Sequence, residues 1–400
     1  MSDHPVPPAG KKPAPVLTVF AVFLKLGLTS FGGPVAHLGY FNHEFVVRRK
    51  WLSAAAYAEI VALCQFLPGP ASSQTGMMIG LTRAGLPGAL AAWLGFTLPS
   101  AVLLAAFAFG AASFGTLGDT AWLHGLKIAA VAIVAQALIA MSRSLCPDVP
   151  RAAFALLAAA VALLIPTAPG QLGAIALGGL LGGLILKPAA ADDLPHLPTA
   201  APKFVSLGAL LLFFTLLVAL PLAAGSGDLF TRLFDSFYRA GALVFGGGHV
   251  VLPLLQREVI PPGLIDPQMF IAGYGAAQAV PGPLFTFAAF LGAAIAGGWG
   301  AVLCTLAIFL PSFLLIIGVL PFWSAIRRHA IARAALQGVN AAVVGLLAAA
   351  FVGLILPAAI SGAADAAIAV VLLGLLVLLR VPSWLVVALG AAAASATAFL

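Results

Sequence analysis

Two cations lie inside apolar stretches of this chain, Lys25 within 16–31 and Arg239 within 229–245, each shortly before a glycine pair. A positive charge at membrane depth is costly and marks a functional site by default. Two of them brought together would hold a divalent anion. The plainer reading is that each snorkels to the interface or pairs with a nearby acid such as Asp235.

The glycine pairs Gly32-Gly33 and Gly246-Gly247 and the turns Pro68-Gly69-Pro70 and Pro281-Gly282-Pro283 supply a second kind of chemistry. Glycine and proline interrupt helices, and an interrupted helix leaves amide N–H groups and a partial positive charge for anionic oxygens. Ser72, Ser73 and Thr286 add hydroxyls just after the prolines, and Gln65 and Gln278 add amides just before them. The glycines could equally serve close helix packing. Three carboxylates, Glu44, Glu59 and Glu258, are candidate proton carriers; Glu44 and Glu258 could instead be solvated partners of Arg48 and Arg257. Lys127 is a further anion contact to weigh. His37 and His249 read as polar interface residues rather than metal ligands, because neither has a partner at ligand spacing. The sequence offers no nucleotide-binding loop, metal set or catalytic triad, so neither an enzyme nor a cofactor is expected. An enzyme acting on lipid or quinone would need more acids and histidines than the apolar runs contain.

These residues occur twice. Adding 214 to Lys25, Gly27, Phe31, Gly32, Gly33 and Glu44 gives Arg239, Gly241, Phe245, Gly246, Gly247 and Glu258. Adding 213 to Gln65, Pro68, Gly69 and Pro70 gives Gln278, Pro281, Gly282 and Pro283, and adding 212 to Pro99-Ser100 gives Pro311-Ser312. Glu59 has Ala272 at the matching position, and Lys127 has Asn340. Drift by single residues is the mark of duplication followed by small insertions. Paired halves with interrupted helices are a pointer to a transporter binding site.

The surrounding chain must be membrane. Charged residues make up 8% of it and hydrophobic ones 62%, against about 25% charged in a soluble domain. The net charge of +7 sits mostly at the ends of apolar runs, where it sets topology, and does not suggest nucleic acid. Cys64, Cys146 and Cys304 are scattered and odd in number, so packing is their expected role.

In order, residues 1–15 read as a disordered tail without a cleavable signal, and 16–187 as the first repeat. Residues 188–203 form a linker, 204–222 a connecting transmembrane helix, and 223–400 the second repeat. Segment 35–51 is amphipathic. Around the Pro-Gly-Pro turns lie pieces of 53–66 with 71–81, and 267–280 with 284–296, each short of the roughly 20 residues a span needs. If each broken pair crosses the membrane once, the halves are inverted and the basic residues gather on the N-terminal side, Arg48-Arg49-Lys50 and Arg232 excepted. If each pair turns back, the halves become parallel on this count and the bases divide almost evenly. The asymmetry favours an all-α polytopic membrane protein of two inverted-topology repeats, with broken helices at the Gly-Gly and Pro-Gly-Pro motifs. The N-terminus is then cytoplasmic and the C-terminus external.

The motifs Phe23-Leu24-Lys25-Leu26-Gly27, Ser30-Phe31-Gly32-Gly33-Pro34 and Gln65-Phe66-Leu67-Pro68-Gly69-Pro70, with their copies at 245–249 and 278–283, resemble the chromate ion transporter family in its long two-domain form. The resemblance covers nearly the whole chain. It implies a bacterial inner-membrane carrier that exports chromate and confers chromate resistance, driven by the proton gradient. Gly248 stands where the first copy has Pro34. The partners expected are the oxyanion, protons as coupling ion, the lipid bilayer and a possible second copy of the chain. Sulfate or another oxyanion is the alternative substrate, since chromate and sulfate match in shape and charge, and a passive anion channel is the alternative mode.

Overall fold

A computed structural model describes residues 14–113, 121–188, 202–225 and 228–397, so most of the expected tail and linker lies outside the described residues. The described chain is helical throughout. Six helices are long and apolar enough to cross a membrane, among them Ala121–Leu145, Lys203–Ala224 and Ala330–Ala359. This is a polytopic membrane protein.

The helix breaks fall where glycine and proline put them. Helix α1 (Val16–Thr29) stops at Ser30, Gly32 takes a left-handed φ of 98°, and α2 (Gly33–Phe41) starts with Pro34 in its first turn, where proline is tolerated. A π-turn, Asn42–Arg48, prolongs α2. The chain then returns on itself: Phe23 of α1 packs on Phe41 and Phe45, with ring centroids 5.6 and 5.0 Å away. Helix α3 (Ala54–Phe66) ends at Leu67, and α4 (Ala71–Ser113) begins after Pro-Gly-Pro. Here too the limbs lie side by side, with Cys64 of α3 beside Thr75 of α4.

The second half repeats this layout. Helix α9 (Leu229–Leu243) and α10 (Val251–Val259) flank Gly246-Gly247, while α11 (Pro267–Ala279) and α12 (Phe287–Val319) flank the second Pro-Gly-Pro. Phe270 and Tyr274 of α11 meet Phe287 of α12 at 5.2 and 5.7 Å. Phe270 lies eleven residues before Pro281, and contact across the break from that far along the limb is possible only if the two limbs reverse. The broken pairs therefore turn back, whereas the charge pattern had favoured a single crossing by each pair. Short limbs bury their aromatic faces against each other, and positive-φ glycine makes the turn permissible.

Each Pro-Gly-Pro hairpin then feeds a long limb through a second reversal. Ala84 (φ −145°, ψ 24°) and Gly85 (φ 64°, ψ −157°) break α4, and Ala296 (φ −137°, ψ 21°) and Gly297 (φ 67°, ψ −156°) break α12 in the same way. The long limbs of α4 and α12 pack antiparallel. Trp93 touches Phe309 and Phe313, well along the long limb of α12, while Phe107, near the far end of α4, meets Phe290 on the short limb that folds back along it.

Helices α5 (Ala121–Leu145), α6 (Val149–Leu164) and α7 (Ala168–Ile185) complete the first half, and α8 (Lys203–Ala224) connects the two. The second half ends with α13 (Trp323–Arg328), α14 (Ala330–Ala350), α15 (Leu356–Ala359), α16 (Ala363–Val377) and α17 (Ser383–Thr397). One end of the molecule collects the start of α1, the loop before α3 and the turn of α4: Ala14 N–H donates to Arg83 O at 3.2 Å, and the Arg83 guanidinium sits 5.3 Å from the Trp51 ring.

Candidate functional site

The four breaks meet. The Gly69 N–H in the first Pro-Gly-Pro donates to Val244 O at the second glycine break, at 2.7 Å. Reciprocally, the Gly282 N–H in the second Pro-Gly-Pro donates to Ser30 O at the first, at 2.9 Å. Ser30 and Val244 are 214 residues apart, so each half satisfies the same carbonyl of the other. Gly69 (φ 123°) and Gly282 (φ 101°) are also packed too tightly for a side chain: a Cβ would fall 2.7 Å from Ser312 Oγ and 2.8 Å from Ser100 Oγ. Pro68 and Pro70, like Pro281 and Pro283, hold these turns at the junction.

Carbonyls of the arriving limbs are quenched further from the side chains. His37, 1% exposed, places Nε2 3.2 Å from Ser30 O, and since a carbonyl only accepts, that nitrogen carries the proton. Its Nδ1 then accepts from Ser72 Oγ at 3.4 Å. Gln74, fully buried, donates to Pro68 O at 2.7 Å. The departing limbs α2, α4, α10 and α12 all begin at the junction or within a turn of it, so their positive N-terminal ends converge there. Carbonyl ends at Ser30, Val244 and Pro68 are capped by protein. An arrangement of this kind suits an anion.

The expected residues distribute unevenly over this junction. Ser72 and Ser73 are 2% exposed, and the Ser73 hydroxyl has no hydrogen-bond partner. Thr286 is buried, but its hydroxyl donates to Pro283 O at 2.7 Å. Around Gly33 and Gly247 the backbone faces open space, whereas Gly246 is packed toward Leu145 and Asn340; Gly32 is exposed. Gln278 is half-buried with an unpartnered Nε2, and Gln65 is exposed. Duplication already pointed to Ser100 and Ser312. Ser30 opened the motif that carries the family resemblance, while Gln74 carried no signal beyond its polarity in an apolar run.

The cations do not share a pocket with each other. Lys25 is exposed on α1 and has no side-chain partner among the described residues. Arg239 pairs with Asp235 through Nε and Nη2, at 2.9 and 2.8 Å, and its Nη2 also donates to Glu258 at 2.8 Å. Ser236 Oγ donates to the same Glu258 oxygen at 2.9 Å. A recess with room for about one water molecule opens here, lined by Arg239, Glu258, Gln171 and apolar residues of α7, α9 and α10. In the first half Glu44 is held by Arg48 at 2.8 Å and by Arg49.

Glu59, 1% exposed, is buried between the halves. Arg327 Nη1 reaches both of its oxygens at 2.8 Å, and Trp323 Nε1 donates to it at 2.6 Å. Neither partner was legible in the sequence, because both lie more than 260 residues away. Lys127, 8% exposed, donates to Gln268 at 2.6 Å. His249 is hydrogen-bonded to the Tyr274 hydroxyl at 2.8 Å, and no group of metal-ligating residues occurs among the described residues.

Comparison with known proteins bears on what this junction serves. The chain is 29% identical over 337 residues to the chromate transport protein of Pseudomonas aeruginosa, covering 83% of this chain and 79% of that one. It is 29% identical to the probable chromate transport protein of Synechococcus elongatus, over 82% of each chain. A chromate transport protein of Cupriavidus metallidurans is 28% identical, over 81% of this chain and 79% of its own length. No solved structure matches. The sequence profile of the chromate transporter family matches residues 17–183 and again 231–395, one copy in each half around the same breaks. With both copies matched, the chain belongs to the chromate transporter family in its long two-domain form.

Proposed function

We propose that the protein is a secondary transporter that exports a tetrahedral divalent oxyanion, chromate, from a bacterial cell through the junction of the four breaks. The observation that carries this reading is the reciprocal pair of backbone bonds, Gly69 to Val244 and Gly282 to Ser30. It brings both halves' helix N-termini, with Ser72 and Ser73, to one place between the two halves. Broken backbone at such depth is tolerated only inside protein or along a wet cavity. Anionic oxygens would exchange water for the amides of Gly33 and Gly247 and for the serine hydroxyls.

The halves are read as inverted repeats in the inner membrane. Support comes from the antiparallel long limbs of α4 and α12 and from the position of Glu59, near the α4-turn end, against Arg327, beyond the far end of α12. With the broken pairs returning and α4, α5, α6, α7 and α8 crossing in turn, the basic residues other than Lys25, Lys127, Arg232, Arg239 and Arg257 fall on the N-terminal side. The cluster Arg48-Arg49-Lys50 then joins the others, which the single-crossing scheme did not allow. By the positive-inside rule that side is cytoplasmic and the C-terminus external.

The test is uptake into liposomes containing the purified protein, with chromate, sulfate, molybdate and phosphate in competition. Chromate should be accumulated against its gradient and displaced best by sulfate, the ion of matching shape and charge. Equilibration without accumulation would make the protein a channel, and indifference to all four anions would remove the reading.

A further inference from the structure

The cluster on α9 and α10 is unbalanced: two carboxylates, Asp235 and Glu258, face one guanidinium. The neighbouring elements bring no compensating charge: Arg232, earlier on α9, is exposed and in no ion pair among the described residues, and His249, in the turn before α10, is bonded to the Tyr274 hydroxyl. The sequences of α7 and α12 contain no Asp, Glu, His, Lys or Arg, α8 has only Lys203 at its first residue, and on α14 the single charged side chain, Arg333, is bound to Arg327 O. Arg257 on α10 points away, donating to Pro166 O at 2.8 Å. Two groups at the recess are unused. Arg239 Nη1 has no partner, and Gln171, 4% exposed, spends its amide nitrogen on Pro253 O and leaves its amide oxygen unpaired. A net negative site that also offers an open guanidinium edge suits an anion only after it has taken up a proton.

Resting on the transport reading above, we propose that Asp235, Arg239 and Glu258 form a proton-gated anion site, in which protonation of Glu258 frees Arg239 to hold the oxyanion on its way past the junction. The step moves one proton. Water gives it to the Glu258 carboxylate, the neutral carboxyl releases Nη2, and Asp235 alone continues to orient the guanidinium. When the anion leaves, the proton returns to water and the pair re-forms. Proton and anion thus favour each other's binding and travel in the same direction. Only the second copy has this arrangement, since the position matching Asp235 is Ala21, so one proton accompanies each divalent anion. A single negative charge remains on the moving complex, and a membrane potential negative inside drives it outward. Export then draws on the potential, with the pH gradient opposing it.

The experiment uses the full-length protein in liposomes with the potential clamped at zero and chromate as probe. Acid outside should drive chromate accumulation inside by about tenfold per pH unit, the equilibrium ratio for one co-transported proton. Acid inside driving the uptake, a hundredfold ratio per unit, or drive by a sodium gradient in place of pH would each overturn the proposal. Glu258→Gln should abolish the pH drive, and Glu44→Gln should keep it; equal behaviour of the two variants overturns the assignment. If Glu258→Gln elutes as aggregate, Glu258→Asp takes its place and must shift the pH of half-maximal uptake, whereas Glu44→Asp must not. A wild-type protein that moves neither chromate nor sulfate refutes the transport reading itself. One that moves them without regard to pH refutes only the gate.

Discussion

The first hairpin of each half is built from equivalent residues, yet the ion clusters that the two hold have opposite net charge. In the first, one carboxylate, Glu44, is claimed by Arg48 and Arg49, and Lys25 stands exposed beyond them. In the second, one guanidinium, Arg239, is claimed by Asp235 and Glu258. A few positions account for the reversal: Asp235 replaces Ala21, and Pro262 and Gly263 replace Arg48 and Arg49. The backbone skeleton did not follow the charges. Both halves keep the same turn angles at Gly85 and Gly297 and exchange the same bond at the junction. The two halves share the junction and differ in the ion clusters beside it.

That contrast can be broken or sharpened by mutation. The largest effect should come from its conserved side. Gly69→Ala and Gly282→Ala each place a Cβ in a left-handed backbone against a serine of the other half, at a strain of about 1–3 kcal/mol before any clash is counted. Both should abolish chromate flux in liposomes to a similar degree, and tolerance of either one would end the equivalence of the two junction bonds.

Next is the contact found in one orientation only. Glu59→Ala strands the buried Arg327 charge and should cost about 3–5 kcal/mol, read as a lower Tm of the purified protein. Glu59→Ala with Arg327→Met should recover most of that loss. An unchanged Tm in the single variant would show that the halves do not depend on this pair.

The cations should then separate the two hairpins. Arg239→Ala leaves two carboxylates uncompensated at the recess and should lower chromate flux by about a hundredfold, near 2.7 kcal/mol of barrier. Lys25→Ala removes an exposed charge and should lower it by less than about tenfold, in a manner that added salt suppresses. Equal losses would mean that the two positions still act alike. The smallest effect belongs to Glu44→Gln, where the partner Arg48 is largely exposed; a loss within about 1 kcal/mol of stability is expected from thermal unfolding.

Much of this architecture could be read in advance, because its determinants are local. The pieces around each Pro-Gly-Pro are helices close to their expected bounds, and the stretch 204–222 lies within the helix Lys203–Ala224. Ser72 and Ser73 are buried at the junction as their place after Pro70 suggested. The site was less legible wherever it depended on distant segments. Nothing near Glu59 announces Arg327, and nothing near Arg239 decides between Asp235, Glu258 and a substrate. Gln65, placed among the anion contacts by its duplication, is exposed, and Gln74, one helical turn beyond Pro70, makes the buried contact with Pro68.

The amino-acid sequence alone determined that this is a membrane protein of two copies and where each copy's helices stop, since hydropathy, glycine and proline act on the backbone within a few residues. It did not determine whether a stopped helix carries on or folds back, because the same glycine pair permits both. That choice, and with it the meeting of the four breaks and the capture of Arg239 by acids, was settled by aromatic packing between limbs and by hydrogen bonds between halves. The limb contacts join residues within about twenty positions of each other, whereas the bonds between halves are defined only once segments some 200 residues apart are neighbours.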